Sequence, residues 1–169
     1  CIRDSSWDFP DNVTFDPGTI IEPGDVYVIC HGSSDDQIQN NCDQTFTFLS
    51  NGDDVFALTQ IGSGIVLDII GLVGPDPGSG WDVAGVANAT KDHTLVRKCG
   101  IDSGNPDWLL SSGTNSEESE WLVYDQNTWD YIGFHNIECF GCTDENACNY
   151  NANANFDDGT CGILDDCGV

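Results

Sequence analysis

The stretch DVFALTQIGSGIVLDIIGLV, residues 54–73, decides how this chain folds. Two β-prone runs, DVFALTQI (54–61) and IVLDIIGLV (65–73), flank Gly62-Ser63-Gly64. β-Branched and aromatic side chains suit a pleated surface, and glycine supplies the positive φ of a tight connection, so the stretch predicts a β-hairpin. IVLDIIGLV is apolar nearly throughout, which predicts a central strand covered on both faces.

Similar runs recur on both sides of it: DVYVIC (25–30), TFTFLS (45–50), HTLVRK (93–98), WLVYD (121–125) and WDYIGF (129–134), each bounded by Gly, Pro, Asp or Asn. TFTFLS alternates as a strand with one wet face does. Short strands at this spacing predict an all-β, antiparallel sandwich or barrel. No helix is expected beyond a turn at SEESEW (116–121). Trp81, Trp108, Trp121 and Trp129 are read as core or corner residues, not as a ligand platform.

After Glu138 the texture changes. Residues 139–169 hold few large apolar side chains and much Asn, Asp, Gly and Cys, so they need staples, metal or both. Two units are therefore expected, a β-sandwich over 1–138 and a Cys-rich, Asn/Asp-rich module over 139–169.

The 169 residues carry 4 Lys and Arg against 29 Asp and Glu, a formal charge of −25. Such a surface repels phosphate backbones and anionic lipid heads, which excludes nucleic acid as an expected partner. Lys91, Arg97 and Lys98 are three of the four basic residues. They read either as an anion-binding edge or, preferably, as partners for the abundant carboxylates. No apolar run approaches the roughly 20 residues that span a bilayer, so membrane insertion is not expected. No basic-then-apolar leader precedes Cys1, and a chain already processed or cut from something longer is expected.

Nine cysteines speak for an oxidising compartment, hence secretion. Cys30 is expected to pair with Cys42 across the polar loop between them. Cys142, Cys148, Cys161 and Cys167 are expected to take part in disulfides whose connectivity the spacing leaves open, and nine being odd leaves one thiol over. The sequons Asn12-Val-Thr14 and Asn88-Ala-Thr90 permit glycosylation at Asn12 and Asn88.

Within the module, Asn151, Asn153, Asn155 and Asp157 place side-chain oxygens at every second position, and Asp158, Asp165 and Asp166 add more. Calcium takes six to eight oxygens, so this is a candidate calcium site. It is no EF-hand, because a register starting at Asn151 puts Phe156 where glycine belongs and Gly162 where glutamate belongs. The same residues form Asx-turns without metal, and both readings stand. Zinc is not expected, since disulfides leave no thiolate to ligate it.

Catalytic signals are poor. His31, His93 and His135 are scattered outside any HExxH pattern, and the Gly-Ser-Gly triplets at 62–64 and 78–80 make no GxSxG elbow. The chain is therefore read as no enzyme.

SNGDDVFAL (50–58), VLDIIGLVGPDPGSGWDVAGVANATKDHTLVRK (66–98) and SEWLVYDQNTWDYIGFH (119–135) together resemble the lamin tail domain of extracellular proteins. The resemblance implies an immunoglobulin-like β-sandwich of non-catalytic type. Domains of that family open with strands that this chain, starting CIRDSSWDFPDNVTF, lacks. Since natural β-proteins avoid exposed edges, those strands are expected from a neighbouring copy or an upstream segment. GCTDENACNYNANANFDDGTC (141–161) in turn resembles a tandem Cys-rich repeat of extracellular proteins, with Asn153 standing where the repeat commonly has Pro. The expected function is that of a secreted structural or interaction module in a filament, matrix or adhesive surface, assembled by strand addition and disulfides. The alternative is an accessory domain of a secreted nuclease or phosphatase.

Overall fold

The computed structural model describes residues 13–47, 51–135, 138–152 and 154–162, with the backbone alone of residues 2–3 and 6–7. Asn12, Asn153, Asp165, Asp166 and Cys167 lie outside the described residues. In chain order the elements are β1 (Ile2–Arg3), β2 (Ser6–Trp7), β3 (Ile29–Cys30), α1 (Asp36–Gln39), β4 (Gln44–Thr45), β5 (Phe56–Thr59), β6 (Val66–Ile70), β7 (His93–Arg97), α2 (Trp108–Ser112), β8 (Trp121–Asp125), β9 (Phe140–Gly141) and β10 (Phe156–Asp157). The protein is all-β in character and disulfide-rich. Its strands pair two by two, giving five two-stranded sheets among the described residues.

β5 and β6 form the hairpin that the Gly-Ser-Gly triplet predicts. Gln60 N donates to the Ile65 carbonyl at 2.8 Å, and Gly62 and Gly64 take φ of 84° and 68°. The register opposes Phe56 to Ile70 and Ala57 to Ile69, with an irregularity between Leu58 and Thr59. β6 is not covered on both faces: Ile69 is buried, while Ile65, Leu67 and Val73 of the same apolar run stay exposed. A two-stranded ribbon has one face toward the core, so an all-apolar sequence still presents its other face to solvent.

β7 and β8 pair antiparallel without interruption, from His93 opposite Asp125 to Arg97 opposite Trp121. The two ribbons share one core of Val55, Ile69, Trp81, Val83, Ala89, Trp108 and Trp121, with Leu72, Leu95 and Val123 packed against it. Trp108 and Trp121 meet at 6.5 Å between ring centroids, tilted by 56°. Trp129 is only half-buried, and WDYIGF around it forms turns, not a strand.

Two pairs run parallel, against the antiparallel expectation: β3 with β4, and β9 with β10. Parallel partners need a crossover of about a dozen residues or more. Residues 31–43 and 142–155 supply such crossovers, and each is closed by a disulfide, Cys30–Cys42 and Cys142–Cys161. Two distant parts of the chain are thus built alike, as stapled parallel crossovers.

Both helices are single turns that the sequence reading missed. Asp35 caps α1 by accepting from Gln37 N, and Asp107 caps α2 by accepting from Leu109 N and Leu110 N. α2 buries Trp108, Ser111 and Ser112. Residues 116–118 of SEESEW form the expected turn.

Candidate functional site

The module's side-chain oxygens face its own backbone. Asn155 Oδ1 accepts from Cys139 N at 2.7 Å, Asp157 Oδ1 from Gly159 N at 2.9 Å, and Asp158 Oδ1 from both Thr160 N at 2.9 Å and the Thr160 hydroxyl at 2.5 Å. Asn149 bridges the segment's ends, accepting from Gly162 N and donating to the Thr160 carbonyl, both at 2.7 Å. Asp144 opens the crossover in the same manner, accepting from Asn146 N at 2.9 Å. The bonds of Asp144, Asp157 and Asp158 are Asx-turns, in which a short polar side chain replaces a missing backbone partner, while Asn149 and Asn155 tie together backbone 13 and 16 residues apart.

The electrostatics agree. The Thr160 hydroxyl, and after it the Thr160 amide, hold the Asp158 carboxyl below the ordinary aspartate value of 3.8. The Asn146 amide, followed by its side chain, does the same for Asp144. Donors fixed against a carboxylate favour its charged form. Asn151 lies against Gly141, where a Cβ would come within 2.9 Å of Asn151 Nδ2. Among the described residues no cluster of three or more His, Cys, Asp or Glu side chains is placed to hold a metal ion.

The expected Cys30–Cys42 pair forms, and the cysteines of the C-terminal segment find partners that the spacing left open. Cys30 joins Cys42 with Cα atoms 5.8 Å apart, and Cys142 joins Cys161 at 4.7 Å. Cys148 is also disulfide-bonded. Cys139, whose partner the sequence left open, joins Cys99 across a separation of 40 residues, with Cα atoms 5.3 Å apart. This bond fastens the Cys-rich segment to the end of β7. No local signal announces it, because both cysteines sit in unremarkable sequence and only the fold brings them together.

The other concentration of chemistry is a polar network beside the core. Arg97 on β7 meets Asp68 on β6 with two hydrogen bonds, at 2.8 and 3.1 Å, and lies 3.5 Å from Glu120 Oε2. The last is an ion-pair contact without hydrogen-bond geometry, which leaves that oxygen and Arg97 Nε without a hydrogen-bond partner among the described residues. The guanidinium also sits 4.3 Å over the Trp121 ring, and the Ser111 hydroxyl takes hydrogen bonds from Trp121 Nε1 at 2.8 Å and Arg97 at 3.2 Å. Asn105 closes the network, its amide on Asp68 and its side chain on Glu120. The carboxylate pairing expected for the basic residues therefore holds at Arg97. Lys98 differs, donating to the Ser116 carbonyl at 2.6 Å.

A shallow cleft of about 220 Å³ adjoins this network, lined by Arg97, Ile101, Asp102, Ser103, Gly104 and His135. His135 Nε2 is 2.8 Å from the Ile101 carbonyl and His93 Nδ1 is 2.7 Å from the Lys91 carbonyl, so in each ring that nitrogen carries the proton. His31 Nδ1 instead accepts from Ser33 N at 3.1 Å. With Arg97 already matched by two carboxylates, the cleft is not a cationic anion pocket.

Asn88 is exposed, in a turn at φ 54°. The threonine of its sequon has a structural role: Thr90 Oγ1 accepts from Trp81 N at 2.7 Å and donates to the Gly52 carbonyl at 2.5 Å. Gly52 itself sits at φ 117°, and a Cβ there would fall 2.7 Å from Lys91 Cβ. Thr90 thus clasps the start of the β5–β6 ribbon to the Trp81 loop.

Comparison with known protein families, with curated proteins and with solved structures finds no match for this chain. No helix among the described residues is long and apolar enough to cross a membrane.

Proposed function

We propose that this chain is a non-catalytic structural module of an extracellular filament, matrix or adhesive surface, in which an immunoglobulin-like, lamin-tail-type sandwich is bolted to a Cys-rich repeat. The observation that carries the reading is the Cys99–Cys139 disulfide, which ties the Cys-rich segment covalently to the cored part of the chain. Bonds of this kind persist in oxidising compartments and are rare where thiols are kept reduced. In this reading the chain is secreted. Its two larger ribbons, β5–β6 and β7–β8, receive strands from neighbouring copies or from an upstream segment of the same polypeptide. Leu58, Leu67 and Leu122 on those ribbons are exposed, as apolar positions awaiting cover would be. The turns of this segment need no ion to hold them, since Asn155, Asp157 and Asp158 each accept from a backbone N–H.

Sizing of the full chain by analytical ultracentrifugation, with disulfides intact and then reduced, tests this. Concentration-dependent assemblies in the oxidised state are expected. A chain that stays monomeric at every concentration, oxidised and reduced alike, would overturn the proposal and favour the accessory-domain alternative.

A further inference from the structure

Tyr124 on β8 and Tyr131 in the turn after it stack with ring centroids 5.0 Å apart and planes inclined by 22°. Aromatic pairs commonly adopt offset stacking, which lays ring carbons of one partner over those of the other. At 5.0 Å between centroids and 22° between planes, carbons of the two phenol rings face each other. In keeping with so close a phenol, the Tyr131 side chain, ahead of partial burial, raises Tyr124 above the ordinary value of 10.0. Phe134 packs against the Tyr131 ring at 6.4 Å, tilted by 45°, and keeps it in place. Tyr131 remains 37% exposed, open to a small oxidant. Neither tyrosine belongs to the buried core cluster.

We propose that Tyr124 and Tyr131 are a site of oxidative cross-linking, joined as a dityrosine by an oxidant of the peroxide class. Each phenol gives up one electron and its hydroxyl proton. The two radicals then form one carbon–carbon bond between the positions next to their oxygens, and the hydrogen displaced from each ring carbon moves to the oxygen to restore the phenol. The chain loses two hydrogens in all, and one hydrogen peroxide takes them to become two waters. Holding two reactants in contact makes the coupling effectively unimolecular, so it outpaces coupling between chains in dilute solution. The bridge would close residues 125–130 against β8, a short staple inside the larger loop that Cys99–Cys139 closes. The site does not depend on the structural role proposed above, since the oxidant is all it requires.

The test uses the full chain, dilute, with a haem peroxidase and hydrogen peroxide. Intact mass and dityrosine fluorescence are read, followed by digestion with a protease that cuts at aspartate. The expected product is a monomer lighter by two hydrogens, whose peptides bearing Tyr124 and Tyr131 stay joined although the chain is cut at Asp125 and Asp130. Tyr124→Phe and Tyr131→Phe should each abolish it, while Tyr150→Phe should not, with thermal melting showing that every variant folds. Cross-links found only between chains, or an intramolecular product that survives in Y131F, would overturn the proposal.

Discussion

The region around residues 51–125 and the two stapled crossovers, 29–45 and 140–157, reach order by opposite means. In the first, buried tryptophans and aliphatic side chains hold two ribbons together over one core. In the second, each parallel pair is two residues long, and covalent bonds and Asx-turns do most of the holding. Removing water from a tryptophan is worth several kcal/mol, whereas a two-residue ladder carries no comparable apolar area. Sequence poor in large apolar groups therefore folds here only where cysteines close the loop.

Breaking the cored region should give the largest effect. Trp108→Ala, which empties a site only 3% exposed, should cost about 4–5 kcal/mol by denaturant unfolding. Peptide mapping should still find Cys142 joined to Cys161. Removing the bond between the regions comes next. Chain-entropy arithmetic for a separation of 40 residues gives Cys99→Ala with Cys139→Ala a loss of about 4 kcal/mol, against about 3 for the separations of 12 and 19 in the other two bonds. Melting of that double variant should separate into two transitions, one for each region.

Arg97→Ala should cost about 3 kcal/mol, because it leaves Asp68 and Glu120 partly buried without their cation. Thr90→Val should cost about 2 kcal/mol, since it deprives the Trp81 N–H and the Gly52 carbonyl of their shared hydroxyl. Thr90→Ser should restore most of that loss, which a role confined to glycosylation would not explain in unglycosylated protein. The smallest effect sharpens the other side of the comparison. The carboxyls of Asp158 and Asp144 are held below 3.8, so their Asx-turns contribute fully above that pH and are lost as pH falls through the lower folded values. Protection of the Thr160 and Asn146 amides, measured against their intrinsic exchange rates, should fall as pH drops below about 3.8 and be unchanged by about 1 mM calcium at neutral pH.

The contrast also explains what could be read in advance. The β5–β6 hairpin, β7, β8 and the burial of Trp81, Trp108 and Trp121 were legible because periodicity and glycine placement are local signals. The parallel pairs were not, since their partners lie 15 or 16 positions apart and no residue pattern marks so short a ladder. TFTFLS and DVYVIC look like strands, yet only Gln44–Thr45 and Ile29–Cys30 near their ends pair among the described residues. α1 and α2 escaped because one turn carries no periodicity, and their caps, Asp35 and Asp107, went unread. In the candidate site, the alternate spacing of Asn151, Asn155 and Asp157 was legible while the direction of each oxygen was not. Asp68, Ser111 and Glu120 gave no sign of meeting Arg97, because three separate elements bring them together.

The Cys99–Cys139 bond also sets the route of mechanical load. Tension applied beyond Cys139 crosses directly to Cys99 at the end of β7, so residues 100–138, with α2 and β8, lie outside the line of force. Reduction would release them as about 130 Å of slack. Under oxidising conditions residues 100–138 therefore add no length under load, and a reductant adds them.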